Sequence, residues 1–165
     1  MFKKLIATAL LAASAFTAAP ATASIHSEFG YTNQGQQILE RTLELSGVTT
    51  TTGNCADYDI HNTYGFFMPA KKWIHICTDV ATTHAEVWET YRHEAIHAAQ
   101  HCKDSSMGST LATKKWLFKN GYQSDWDFIT EAYDQDDHMI ELEAFTLMRE
   151  SNMTVAKIVA KHCDW

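Results

Sequence analysis

The chain has 165 residues, 45% hydrophobic and 12% aromatic, with 13 basic and 20 acidic side chains and a formal net charge of −7. That length and apolar content suit one domain with a sizeable core. The acidic balance argues against nucleic acid or an anionic membrane surface as partner, because phosphate binding needs a basic patch.

Taken in chain order, Lys3 and Lys4 precede an apolar stretch from Leu5 to Phe16, followed by Ala21-Thr22-Ala23. A short basic region, an apolar run too short to span a bilayer and a small-x-small site predict a secretory signal over residues 1–23. The domain then covers 24–165 and carries a net charge of −9, eleven basic against twenty acidic residues. The expected location is exported, periplasmic or secreted, with no membrane association after signal removal.

Asn33 to Ser46 reads as an amphipathic helix with Ile38, Leu39, Leu43 and Leu45 apolar, stopping at Gly47. Thr49 to Asn54 reads as a loop. Tyr64 to Met68 and Trp73 to Cys77 are β-prone runs on either side of Pro69–Lys72, which predicts a hairpin. Thr83-x-x-Glu86 is a capping box opening a helix to about Cys102. Further helices are expected over Thr110–Asn120, from a cap at Ser124 to Glu150 with a break near Asp134, and over Thr154–His162. The fold class is α+β, mostly helical, with a small hairpin or sheet.

The long helix carries His93-Glu94-Ala95-Ile96-His97. His93 and His97 are one turn apart and share a face, so both imidazoles can reach one metal ion. Glu94 is rotated off that line, placed to act on a water rather than on the ion. Zinc in a hydrolytic site takes three protein ligands and keeps an open position. At about 100° per residue, Val87, Trp88, Tyr91, Ala95, Ala98, Ala99 and Cys102 form a core face. The histidine pair lies opposite, with Glu86, Glu89, Thr90 and Gln100. His101 is excluded as third ligand, because it lies about 12 Å along a straight helix from His93.

The third ligand is sought in Asp137-His138-Met139-Ile140-Glu141-Leu142-Glu143-Ala144-Phe145. Glu141 falls inside the apolar arc of Ile140, Ala144, Phe145, Leu147 and Met148. A carboxylate there needs a partner, either a metal ion or a salt bridge to Arg92 or a lysine. Glu141 is therefore the candidate ligand, with Asp134 and Asp137 on the same face as weaker alternatives. Glu143 falls on the other side and is expected to be solvated.

All four cysteines, Cys55, Cys77, Cys102 and Cys163, follow the signal. An even count in an exported chain predicts two disulfides. Three pairings exist; Cys55–Cys77, closing a local loop, and Cys102–Cys163, tying the motif helix to the C-terminus, are preferred. A four-thiolate zinc site has no Cys-x-x-Cys spacing to support it.

With these residues in place, the chain resembles an HExxH zinc metallopeptidase of the small gluzincin type, in which a Glu from a later helix completes the site. Glu141-Leu142-Glu143-Ala144 matches the Glu-x-x-Ala form of that helix. The resemblance covers about half of the exported chain and implies a zincin-like domain holding one zinc ion. It also implies an upstream edge strand that binds extended substrate, a place taken by Trp73-Ile74-His75-Ile76. His75 on that strand is expected at the surface. Many members have an Asp four residues after the ligand Glu, bonded to the first His; here that position is Phe145.

The function this implies is hydrolysis of peptide bonds in a peptide or protein substrate. Zinc would sit on His93, His97 and Glu141, with Glu94 as general base. Tyr133, His138 and Tyr122 are the candidates for stabilising the oxyanion. The alternative is a non-catalytic, disulfide-linked exported binding module with an incidental or structural metal site.

Overall fold

In the computed structural model, residues 29–30, 33–58, 60, 62–104 and 110–163 are described. The signal expected over 1–23 lies outside them. Helix α1 (Gln34–Leu45) starts where expected, because Asn33 and Gln36 form a reciprocal capping box. It ends at Gly47, whose φ of 74° suits a residue without a Cβ.

The sheet has three strands, β1 (Thr49–Gly53), β2 (Gly65–Met68) and β3 (Trp73–Cys77), in the order β1-β3-β2. β2 and β3 form the expected hairpin, turning through Pro69–Lys71. The segment read as a loop is instead β1, parallel to β3 with Thr51 opposite His75. Four β-branched threonines suit a pleated strand, and the available edge of β3 decides the conformation. This pairing also makes β3 the central strand, so Trp73–Ile76 is not an edge; β1 and β2 are the edges.

Helix α2 (His84–Lys103) opens on the Thr83–Glu86 capping box and runs under the sheet as the central element of the core. Val87, Trp88, Tyr91, Ala95, Ile96, Ala98 and Ala99 pack with Leu39 and Leu43 of α1 and Ile74 and Ile76 of β3. Gly65 permits the close approach of β2 to this helix, since a Cβ there would lie 2.7 Å from Thr90 Cγ2. Helices α3 (Lys114–Asn120), α4 (Gln123–Ala132), α5 (His138–Leu147) and α6 (Asn152–His162) follow. α5 and α6 both pack on α2, and a second apolar cluster of Leu117, Ile129 and Leu142 joins α3, α4 and α5.

Several boundaries differ from expectation. α3 starts after Thr113, whose hydroxyl caps it, because the Leu111 and Ala112 amides are bound by a carboxylate from α5. α4 begins one residue before Ser124, after Tyr122, which makes no side-chain cap. The break near Asp134 is present, and α5 stops at Leu147 rather than Glu150. The disulfides are Cys55–Cys77 and Cys102–Cys163, the preferred pairing. The architecture is α+β and mostly helical, and no helix among the described residues is long and apolar enough to cross a membrane.

Candidate metal centre

The middle of α2 faces α5, and His93, His97 and Glu141 meet between them. Their nearest ligand atoms all lie within 4.8 Å of one another, and all three side chains are buried. Glu141 Oε2 stands 3.4 Å from His93 Nε2, and Oε1 stands 3.4 Å from His97 Nε2. The two Nε2 atoms are 3.1 Å apart. Arg92 is turned elsewhere, to the Met148 carbonyl and Asn152, so it is not the partner of Glu141. Asp134 and Asp137 are exposed and outside the cluster. The other group of potential ligands among the described residues, Cys55, Cys77 and Asp79, has both sulfurs tied in a disulfide.

This donor set fits a divalent cation. Two imidazole nitrogens and a carboxylate point at one spot, and Glu141 Oε2 is buried without a hydrogen-bond partner. Nitrogen lone pairs at such a separation need a positive charge between or upon them. A group of this kind can hold a metal ion. Without one, a proton serves. Burial disfavours charge on His97, but the Glu141 carboxylate, then Glu94 and Gln100, overrule it and raise its pKa to about 9. Burial likewise opposes charge on Glu141, yet the two histidines hold its carboxyl well below the usual range.

Glu94 is 5% exposed and off the line of the histidines. Burial raises its pKa, against the opposing pull of His93, His97 and the Phe67 backbone N–H on β2. An edge strand thus runs beside Glu94, but it is β2 rather than the Trp73–Ile76 segment.

Of the three oxyanion candidates, one is at the site. Tyr133, just after α4, has its hydroxyl beside the Glu141 carboxylate, and burial followed by the charges of Glu141 and Glu94 keeps it firmly protonated. His138 is held by the Tyr133 carbonyl at 3.0 Å and by the Trp126 ring. Tyr122 is 57% exposed and lies under Arg149. His101 is outside the cluster, against Phe67. His75 is also outside it and is not a surface residue. It is buried among Tyr58, Phe66 and Trp73, and its Nδ1 is 2.6 Å from Thr51 Oγ1.

Three site residues were missed or misplaced by helical-face reasoning. Glu143 is fully buried, not solvated: it accepts from Leu111 N at 2.7 Å, Ala112 N at 2.6 Å and Gln100 Nε2 at 2.9 Å. Gln100 of α2 and the Leu111 and Ala112 amides before α3 all close on Glu143, so its side of α5 is not a solvent face. Gln100 bonds His97 Nδ1 at 2.8 Å. Its position three residues after His97, on the same face, was the available signal. Phe145 covers the His93 ring edge-on.

A family model described as a domain of unknown function (DUF8637) matches residues 31–164. The chain belongs to that family. No curated protein and no solved structure matches it significantly. Every residue of the buried centre lies inside the DUF8637 domain, as do both disulfides.

Proposed function

We propose that this domain is an exported zinc-dependent peptidase that hydrolyses peptide bonds, similar to small gluzincins. The observation that carries the reading is the convergence of Glu141 from α5 on the one-turn pair His93 and His97, beside a separate buried carboxylate, Glu94. A purely structural metal site has no use for that second acid. The donor chemistry, two imidazoles and one carboxylate with a further position open, suits catalytic zinc.

When bound, zinc supplies Lewis acidity to the scissile carbonyl and to the attacking water. His93, His97 and Glu141 would hold it. Glu94 takes the proton from the water and passes it to the leaving amine; burial raises its proton affinity, which suits a group that must do both. The Tyr133 hydroxyl, kept protonated beside Glu141, is the donor best placed to bond the developing oxyanion. The β2 edge beside Glu94 is the surface on which an extended peptide would pair.

The test is metal analysis of the oxidised protein, followed by incubation of the zinc-loaded form with a peptide library. Stoichiometric zinc and cleavage products support the proposal. Zinc without cleavage of any peptide would leave a non-catalytic module, and no metal uptake would remove both the ion and the mechanism.

A further inference from the structure

The His97 ring is fixed by a chain of hydrogen bonds that leaves no freedom of assignment. Gln100 Nε2 lies 2.9 Å from Glu143 Oε2 and 3.1 Å from the Ile140 carbonyl, and both of these are acceptors. The amide nitrogen must therefore face them, which turns Gln100 Oε1 toward His97 Nδ1 at 2.8 Å. An oxygen there can only accept, so Nδ1 carries the proton. Neutral His97 is then the tautomer whose Nε2 lone pair faces His93 and Glu141.

Glu143 is anchored in turn. It sits two residues from Glu141 on α5 and accepts the backbone N–H groups of Leu111 and Ala112. Its carboxylate is fully buried, with three donors around it. Such a charge is tolerated in the interior only where its hydrogen bonds are made.

We infer that Gln100 and Glu143 are positioning residues of the candidate site: Glu143, held by the Leu111–Ala112 backbone, orients Gln100, and Gln100 presents Nε2 of His97 to the ion. This rests on the metallopeptidase reading for its consequence but not for its geometry. Groups that orient a metal-binding imidazole in this way are worth on the order of 10–100-fold in metal affinity. The two histidines are held differently, His97 by this polar relay and His93 by the Phe145 ring.

The experiment uses the oxidised chain labelled with nitrogen-15 in its histidines, metal-free and zinc-loaded, as wild type and as Gln100→Met, which keeps length but cannot donate or accept in the same way. Two quantities are read: the protonation and solvent exchange of His97 Nδ1, and zinc affinity by competition with a chromophoric chelator. The expected result is a slowly exchanging Nδ1 proton in the wild type, its rapid exchange in Gln100→Met, and a zinc affinity lower by about 10–100-fold in the variant. A bare Nδ1 in the wild type, or a folded Gln100→Met with wild-type zinc affinity, overturns the inference. If the variant does not fold, the wild-type Nδ1 signal decides. If the wild type takes no zinc, the peptidase reading fails, and slow against rapid exchange of the Nδ1 proton in the metal-free protein still accepts or rejects the relay.

Discussion

Phe145 stands edge-on to the His93 ring, with centroids 4.8 Å apart and planes at 76°. In the small gluzincin peptidases to which the proposed function likens this chain, the position often carries an Asp that bonds the first histidine. Here an apolar wall restrains the ring, and the same phenyl meets the half-exposed Phe128 at 5.8 Å on its other side. An aromatic ring limits rotation of the imidazole without setting its tautomer. Phe145→Ala is expected to destabilise the fold by about 2 kcal/mol, less than for a fully buried Phe. It should also weaken zinc binding several-fold, through a His93 ring that is free to turn. Denaturant unfolding and metal competition measure the two effects separately, and unchanged affinity would show that the ring only fills space.

On the proposed peptidase reading, Glu94 separates binding from catalysis. Glu94→Gln has the same shape and adds no charge, so the variant is expected to fold and to keep its zinc. It should lose peptide hydrolysis by several orders of magnitude, because no base remains beside the water. His97→Ala should lose the zinc itself. Cleavage by Glu94→Gln at the wild-type rate would place the base elsewhere.

On the proposed reading, zinc capture displaces a proton. The His97 pKa is raised to about 9: burial opposes the charge, and Glu141 more than compensates. Below that value the metal-free ring is protonated, so each zinc ion taken up should release one proton from it. Apparent affinity is then expected to fall by up to tenfold per pH unit as pH drops below about 9, and to level off above it. Calorimetry in two buffers of different ionisation enthalpy counts the protons; no release at pH 7 would contradict the protonated state.

The two disulfides differ in what they enclose. Cys102–Cys163 spans 61 residues and ties the end of α2 to the residue after α6, whereas Cys55–Cys77 spans 22 and joins the residues after β1 to the end of β3. By loop-closure entropy, replacing the first pair with serine should cost about 4 kcal/mol and the second about 3 kcal/mol. Denaturant midpoints of the two double variants measure the order, and a larger loss for Cys55–Cys77 would point to native contacts at the sheet rather than chain entropy.

Much of the candidate site was legible because its geometry is local. The pairing of His93 with His97 and the offset of Glu94 follow from helical periodicity, and the Thr83–Glu86 box marked where that helix begins. Glu141 could be found because a carboxylate within an apolar arc has to be compensated. The cysteine partners followed from the expectation of export, from parity and from chain position.

Position in three dimensions decided the rest. Whether Thr49–Gly53 is loop or strand depends on β3 offering it an edge, and that same pairing moved the open edge beside Glu94 from Trp73–Ile76 to β2. Glu143 looks solvated on a helical wheel, but the segment before α3 crosses that side of α5 and brings two amides to it. A sequence determines which faces a helix has, because the turn angle repeats every residue. It does not say how many of those faces are covered, because coverage is set by elements distant in the chain, here Gln100 of α2 and the approach to α3, which together close over Glu143.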